Sequence, residues 1–367
     1  MYARALRPLL FVLPAHAAHT LAFAALGPLE HVPFLRALTR TALGVPVDPR
    51  LAVHALGLDF ASPVGLAAGF DKDARRARAL AALGFGHLEL GTVTAIRQAA
   101  NPRPNLFRLP DDRALVNRLG FPNDGAERVA RRLRAARRSV PNGIGVPVGV
   151  SIGKSRVVPA DDLDAVVKDY ARSFDLVRSV ADFVVVNVSS PNTAGLRAMQ
   201  AREHATALLL SLTARAGGGG RLLVKIAPDL DDAQLEDVLA VAESVGLGGV
   251  VATNTTTSRE GLRTNARRVA AIGAGGLSGP PLQARAISVV RRIRARLGRR
   301  VAVVGVGGIE RAEHAMAMIR AGADLVQLYT GFIYEGPGIA ARMGRELLRL
   351  MEREGARAIG ELVGVAG

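Results

Sequence analysis

The sequence predicts an α/β fold, a (β/α)8 TIM barrel with a small N-terminal helical extension. From residue 45 onward, short apolar runs alternate with helical stretches, and the runs are apolar nearly throughout. Parallel strands that are buried on both faces have this pattern. The eight predicted strands cover residues 63–69, 87–93, 146–152, 182–188, 221–227, 248–254, 301–308 and 324–330.

Two further features favour a closed barrel. The stretch LAVHALGLDFAS, residues 51–62, is predicted to form a hairpin that closes the bottom of the barrel. A doubly wound sheet is the alternative, but its first strand–helix turn should carry a glycine-rich fingerprint. In this chain the glycine-rich turns come last.

The first 44 residues differ from the rest. Residues 6–29 are strongly apolar and follow basic residues, as in a signal peptide. Prolines and histidines interrupt the run, so it contains no apolar stretch long enough to cross a bilayer. Helices are predicted at about 2–13, 15–26 and 33–43, lying on the barrel or on a membrane surface. We therefore divide the chain into an extension, 1–44, and a barrel domain, 45–367.

The amino-acid composition narrows the possible functions of the protein. The chain has 367 residues, of which 49% are hydrophobic, which is enough for a large core. It has no cysteine, which excludes disulfides, thiolate metal sites and a cysteine base, and we predict no metal site. The net charge of +16 is spread over arginine-rich helices, and aromatic residues make up only 4%. Nucleic acid is therefore not a predicted partner.

Polar residues follow the predicted strands. In a barrel of this type the active site lies at the carboxyl ends of the strands. The segments at those ends are AAGFDK (67–72), GTVT (91–94), SIGKS (151–155), NVSSPN (187–192), VKIA (224–227) and ATNTT (252–256), and LVNRLGF (115–121) lies in a connection. We expect small residues to admit a planar ligand, and Lys72 and the asparagines to bind a small polar ring.

Glycine-rich turns point to a phosphate. GVGGI and YTGF follow the last two strands, and LSGPPLQ adds Gly279. Such turns bind phosphate in many barrels, so the combination predicts a phosphorylated planar cofactor. Structural interpretations stay open: Ser190 could cap a helix, Asn192 could form an Asx turn, and Lys225 could belong to an ion pair in the barrel interior.

Nine motifs resemble those of dihydroorotate dehydrogenases. AAGFDK, GTVT, NRLGF, NVSSPNTAGLR, KIAPD, ATNTT, GGLSG, GVGGI and QLYTGFIYEGP have the order and spacing of that family over roughly residues 45–345. The chain resembles class 2, the quinone-reducing, membrane-associated type. The soluble type has a cysteine base where Ser190 stands, and it lacks the apolar N-terminal helices.

The resemblance implies a cofactor, a substrate and a base. FMN would be held by Ala67, Ala68, Gly69, Phe70, Asp71, Thr92, Ser151, Asn187, Lys225, Thr253, Gly279, Gly308, Tyr329 and Thr330. Dihydroorotate would be held by Lys72, Asn117, Arg118, Leu119, Gly120, Phe121, Asn187, Asn192, Asn254 and Thr255. Ser190 would remove the C5 proton while C6 passes a hydride to the flavin.

The resemblance also implies partners and a location. The N-terminal helices would form a quinone tunnel, with Arg108 near the quinone head, and would bind the cytoplasmic face of the cell membrane. The reaction would be the oxidation of (S)-dihydroorotate to orotate in pyrimidine biosynthesis. Departures from the family pattern are Ser151 in place of asparagine, Pro122 after NRLGF, and AIRQ (95–98) in place of a proline-containing loop.

Two competing hypotheses remain at this stage. A related FMN barrel could act on a dihydropyrimidine or dihydrouridine, although the tRNA-acting relatives use a cysteine acid that this chain lacks. A basic, non-catalytic barrel could bind polyanions, and its affinity for nucleic acid would then fall steeply with salt.

Overall fold

A computed structural model describes residues 2–138 and 143–365. Within these residues the chain forms thirteen strands. They are β1 (Val53–Ala55), β2 (Leu58–Phe60), β3 (Val64–Leu66), β4 (His87–Val93), β5 (Leu106–Leu109), β6 (Ala114–Asn117), β7 (Val148–Ile152), β8 (Phe183–Asn187), β9 (Leu222–Ile226), β10 (Gly249–Ala252), β11 (Gly276–Ser278), β12 (Ala302–Val306) and β13 (Leu325–Leu328).

Eight of these strands close a parallel barrel in the order β3, β4, β7, β8, β9, β10, β12, β13. The last strand pairs with the first, with Val326 opposite Val64, so no sheet edge is left open. Each observed strand lies inside one predicted run, and the predicted TIM barrel is confirmed. The runs are apolar nearly throughout because one face of each strand fills the barrel and the other lies under helices.

Fourteen α-helices surround the barrel in the described part of the chain. They are α1 (Arg7–Val12), α2 (Ala15–Ala25), α3 (Gly27–His31), α4 (Pro33–Leu43), α5 (Ala77–Ala82), α6 (Ala126–Arg138), α7 (Leu163–Val177), α8 (Arg202–Ala216), α9 (Asp232–Ser244), α10 (Ala266–Ile272), α11 (Gln283–Leu297), α12 (Ala312–Arg320), α13 (Thr330–Glu335) and α14 (Ile339–Glu354). Local sequence sets their ends. Helix α9, for example, begins with a capping box between Asp231 and Gln234.

The hairpin β1–β2 closes the amino-terminal end of the barrel, as predicted. Its strands are antiparallel, with Val53 opposite Phe60. Phe60 is fully buried and packs in one cluster with Phe183, Leu223 and Leu325, which lie at or near the starts of three barrel strands. The opposite end of the barrel is therefore the end open to a ligand.

A three-stranded antiparallel sheet, β11–β6–β5, lies outside the barrel. Asn117 of β6 pairs with both Leu106 of β5 and Gly276 of β11. Sequence analysis did not predict this sheet, because its strands are only three or four residues long and carry no clear alternation. The sheet brings the NRLGF segment toward the mouth of the barrel.

The N-terminal helices lie against the barrel and also present an apolar outer face. The Tyr2 hydroxyl donates to the Ile333 carbonyl at 2.8 Å, and Arg76 Nε donates to the Phe23 carbonyl at 3.0 Å. Large apolar side chains on the outer face, including Leu9 and Phe34, are about 70% exposed (68% and 72%). None of the helices within the described ranges is both long and apolar enough to span a bilayer.

Candidate active site

A cleft opens at the carboxyl ends of the barrel strands and encloses about 1130 Å³, counting its opening to solvent. Residues at or after seven of the eight barrel strands contribute to it. The predicted site residues that line it are Ala67, Ala68, Gly69, Lys72, Thr92, Asn117, Leu119, Gly120, Phe121, Asn187, Ser190, Asn192, Lys225, Thr253, Asn254, Thr255, Gly279, Gly308, Tyr329 and Thr330. The fold therefore brings together most of the residues that the sequence predicted.

Two of the predicted cofactor residues lie just behind the cleft wall. The Ser151 hydroxyl is fully buried and lies 2.9 Å from the Thr92 hydroxyl, so Ser151 orients Thr92 rather than facing the cleft. The Asp71 carboxylate accepts hydrogen bonds from three backbone N–H groups, the shortest from Arg76 at 2.7 Å. Burial raises the pKa of Asp71. Asp71 therefore shapes the loop that carries Lys72.

Two other predicted residues point elsewhere. Phe70 lies against His19 and Phe332 in an aromatic cluster, with ring centroids 5.2 and 4.9 Å away. Arg118 donates from Nη1 to the carbonyls of Ile272 and Ala274. The resemblance implied that both bind a ligand, and their neighbours in the same segments do line the cleft.

The asparagines of the cleft hold one another in place. Asn187 Nδ2 donates to the Thr92 hydroxyl at 3.0 Å, and Asn254 Nδ2 donates to Asn187 Oδ1 at 3.2 Å. Asn192 Nδ2 donates to Asn117 Oδ1 at 3.1 Å. Each amide has both donors and acceptors, so this network orients the remaining ones toward a ligand.

Ser190 is 5% exposed and lies at the start of the loop after β8. Its Oγ accepts a hydrogen bond from the Asn192 N–H at 3.2 Å, which leaves its own proton available for another partner. Three residues on, the Thr193 hydroxyl is buried without a hydrogen-bond partner among the described residues. Sequence analysis did not single out Thr193.

The two lysines of the cleft have different surroundings. Lys72 Nζ donates to the Gly69 carbonyl, and burial lowers its pKa to about 8, although Asp73 and Asp71 act in the opposite direction. Lys225 Nζ lies 3.2 Å from Glu89 Oε1, and both side chains are buried. The structure thus contains the interior ion pair that the sequence left as an alternative for Lys225, and Lys225 lines the cleft as well.

The glycine-rich turns bring backbone close to the cleft. Gly279 has φ +111°, and a Cβ there would lie 2.9 Å from the Arg113 carbonyl oxygen. Gly308 has φ +71°, and its Cβ would lie 2.5 Å from Gln283 Cβ. Larger residues are excluded at both positions by conformation and by space.

A second cavity, of about 530 Å³, lies between the N-terminal helices and the barrel. Leu106, Leu115 and Tyr329 line both this cavity and the cleft. Arg108 lines the second cavity only and donates to the carbonyls of Phe11 and Leu13 at 2.9 Å. The two cavities are therefore neighbours that share a wall.

The profile of the dihydroorotate dehydrogenase family matches residues 50–351. This chain belongs to that family. It is 52% identical to the dihydroorotate dehydrogenase (quinone) of Thermobifida fusca over 355 residues, 96% of this chain and 93% of that one. It is 48% identical to the dihydroorotate dehydrogenase (quinone) of Nocardia farcinica, over 99% of this chain and 96% of the relative.

Solved dihydroorotate dehydrogenases have the same fold. The ligand-free enzyme of Eimeria tenella has a TM-score of 0.77 and 36% identity, covering 90% of this chain and 97% of that one. The same enzyme in complex with ferulenol has a TM-score of 0.76 and 35% identity, covering 91% and 96%. The resemblance and the enzyme class predicted from the sequence, an oxidoreductase of the dihydroorotate dehydrogenase family, are confirmed.

A clamp between the loops of the cleft was not predicted from the sequence. Arg197 donates from Nε to the Ser189 carbonyl and from Nη2 to the Thr255 carbonyl, both at 3.1 Å. Its Nη1 lies 2.8 Å from Asp229 Oδ2. Asp229 also accepts from the N–H of Thr257 at 2.9 Å. One guanidinium therefore joins the loops that follow β8, β9 and β10.

Two polar residues of the barrel interior were also missed. Glu89, in β4, is 1% exposed, and its Oε2 has no partner in the described part of the chain. Gln327 lines the cleft, and neither of its amide atoms has a partner there. The sequence did contain a signal for them, because both are polar residues inside runs that are otherwise apolar. Burying a polar side chain costs free energy unless it has a partner.

Proposed function

We propose that this protein oxidises (S)-dihydroorotate to orotate in pyrimidine biosynthesis, with FMN as its cofactor and a membrane quinone as the final electron acceptor. The observation that carries the proposal is one cleft that combines Lys72, four asparagines and Ser190 with glycine-rich turns. The quinone-dependent relatives named above support the substrate and the acceptor.

The cleft fits FMN. The Gln327 amide, which has no partner in the described part of the chain, needs a polar ligand, and Lys225 offers a cation. The turns at Gly279 and Gly308 line the cleft with backbone groups, which would bind a phosphate. We infer that the cofactor is held by Ala67, Ala68, Gly69, Thr92, Asn187, Lys225, Thr253, Gly279, Gly308, Tyr329 and Thr330, with Phe70, Asp71 and Ser151 behind them. When bound, FMN would supply the acceptor for the hydride that leaves C6 of the substrate.

The remaining cleft residues suit dihydroorotate. Its carboxylate would pair with the Lys72 ammonium, because an ammonium is a strong donor to an oxyanion. Its imide ring alternates carbonyl and N–H groups, which the amides of Asn117, Asn192 and Asn254 complement with donors and acceptors. Thr255 and the loop residues Leu119, Gly120 and Phe121 would complete the site. Arg118 lies outside the cleft and would support the site by holding the backbone of residues 272–274 in place.

Ser190 would take the C5 proton. The Asn192 N–H donates to Ser190 Oγ and so stabilises the negative charge that develops on this oxygen as its own proton leaves. A serine hydroxyl is a weak base, so a relay to solvent is required. The Thr193 hydroxyl, which is buried and has no partner among the residues that the structure describes, is the nearest candidate in sequence for such a relay.

The second cavity would admit the quinone. It shares a wall with the cleft, as a channel for a second electron acceptor must, and Arg108 places a cation in its lining. The exposed apolar face that includes Leu9, Val12 and Phe34 would rest on the cytoplasmic surface of the cell membrane, from which a lipophilic quinone can enter.

An anaerobic visible spectrum tests the proposal. The purified protein should show a flavin spectrum that bleaches with L-dihydroorotate and returns with a quinone analogue but not with NAD. A yellow protein whose flavin is not bleached by dihydroorotate would support FMN as the cofactor and contradict dihydroorotate as the substrate. A colourless protein that takes up no added FMN would contradict the proposal from the cofactor onward.

A further inference from the structure

The ion pair between Glu89 and Lys225 crosses the interior of the barrel. Glu89 lies on β4 and Lys225 on β9, and β7 and β8 separate these strands in the barrel order. The two side chains nevertheless meet, with Lys225 Nζ 3.2 Å from Glu89 Oε1, and they are 6% and 0% exposed. The charges therefore interact in a dry environment, where a unit charge acts strongly on its neighbours.

Lys225 faces the cleft and Glu89 lies behind it. Lys225 lines the cleft, whereas Glu89 does not. Glu89 is the sole hydrogen-bond acceptor that the Lys225 ammonium has in the described part of the chain. An ammonium has three donors, so two are left for a ligand in the cleft. Glu89 thus holds Lys225 from below and leaves its upper side free.

We propose that Glu89 is a positioning residue that holds the Lys225 ammonium toward the cleft and sets the reduction potential of bound flavin by balancing that charge. The inference rests on the proposed function, since it takes FMN as the occupant of the cleft. Reduction adds electrons to a flavin ring, and a net positive charge close to the ring would favour it. Glu89 cancels this charge and keeps the potential lower than Lys225 alone would make it.

Opposite shifts from the two partners of the pair would identify this role. The midpoint potential of the FMN-loaded full chain is measured by spectroelectrochemical titration for wild type, Glu89→Gln, Lys225→Gln and the double variant. We expect Glu89→Gln to raise the ratio of reduced to oxidised flavin at least tenfold at a given applied potential, about 30 mV for a two-electron couple. Lys225→Gln should shift the ratio in the opposite direction, and the double variant should lie between the single ones.

Asp324→Asn is the matched control. Asp324 pairs with Arg294 at 2.5 Å, with side chains 18% and 11% exposed, so this variant also removes a carboxylate from a largely buried ion pair. Asp324 precedes β13 and therefore lies at the closed end of the barrel, away from the cleft. Its loss should leave the flavin potential unchanged. An equal shift in Asp324→Asn and Glu89→Gln would overturn the inference, as would an unchanged potential in Glu89→Gln.

Removing one partner of a buried ion pair is strongly destabilising, so a single variant could fail to fold. The double variant leaves no unpaired charge and gives a second comparison. Its midpoint potential should lie above that of Lys225→Gln by the same amount as the potential of Glu89→Gln lies above that of wild type. Equal potentials in the double variant and Lys225→Gln would overturn the inference. If Glu89→Gln does not fold, the comparison of the double variant with Lys225→Gln tests the inference. If Lys225→Gln does not fold, the comparison of Glu89→Gln with wild type tests it. A wild-type protein that binds no FMN would instead contradict the proposed function itself.

Discussion

Asn192 donates a hydrogen bond from Nδ2 to Asn117 Oδ1 at 3.1 Å. Asn192 belongs to the loop after β8, and Asn117 ends β6 in the sheet outside the barrel. Seventy-five residues of chain separate them. The bond fixes which amide atoms of this pair stay available for a ligand, and it links the small sheet to the loop that carries Ser190.

Removing either amide should weaken substrate binding without unfolding the protein. Asn192→Ala or Asn117→Ala leaves the other amide without its partner, which costs about 1–3 kcal/mol and roughly 5- to 150-fold in the Kd for orotate. The double variant should lose less than the sum of the single losses. Calorimetric titration with orotate measures this. Asn265→Ala, which removes a helix cap outside the cleft, is the control, and fully additive losses would contradict the coupling.

Ser190→Ala should slow flavin reduction and leave the flavin bound. A positioned general base contributes roughly 10²–10⁴-fold, so the anaerobic bleaching rate should fall by that factor while the Kd for orotate changes little. Stopped-flow absorbance measures the rate. Ser244→Ala, on the outer helix α9, should match wild type. A Ser190→Ala rate within a few-fold of wild type would exclude this base.

Substrate affinity should fall as the pH rises through the Lys72 pKa. Burial lowers the pKa of Lys72 to about 8. Below that pH the ammonium is present and pairs with the carboxylate, and above it the neutral amine gives no charge. The Kd for orotate should therefore rise up to tenfold per unit above about pH 8. Titrations from pH 6 to 10 measure this dependence.

Lys72→Met should bind orotate weakly and lose the pH dependence over this range. Lys168→Met, on the exposed face of α7, should keep both the affinity and the dependence of wild type. A dependence that persists in Lys72→Met would assign the titration to another group.

Filling the second cavity should separate the two half-reactions. Ala22 lines this cavity, and Ala22→Phe would occupy part of its 530 Å³. We expect turnover with a long-chain quinone to fall at least tenfold, while dihydroorotate still bleaches the flavin at the wild-type rate. Ala17→Phe, on the exposed side of the same helix, is the control. Unchanged quinone turnover in Ala22→Phe would contradict the quinone route.

Arg197→Lys should loosen the active-site loops. A lysine keeps the charge but loses the planar fork that bonds Ser189, Thr255 and Asp229 together. We expect a roughly tenfold lower bleaching rate with a thermal midpoint within a few degrees of wild type, because a hydrogen bond to a charged group contributes about 1.5–3 kcal/mol. Arg215→Lys, whose ion pair with Asp175 joins two outer helices, should have no effect.

Residues of the candidate site could be predicted from the sequence where a short polar segment directly follows a predicted strand. AAGFDK and NVSSPN follow buried strands directly, and barrel geometry places such segments at one mouth, so the sequence predicts Lys72 and Ser190 there, and both line the cleft. Phe70 and Arg118 show the limit of this reasoning, because adjacent residues of a loop point in different directions. Their side chains contact His19 and Ile272, which are far away in sequence.

The barrel and the family could be predicted from the sequence, because buried parallel strands need continuous apolar runs and the motifs keep a strict order. The contacts between residues far apart in the chain became visible only in the folded structure. Glu89 and Lys225 are 136 residues apart, and Arg197 reaches three loops. Such contacts depend on the closure of the barrel and on side-chain direction, and neither leaves a periodic signal in the chain.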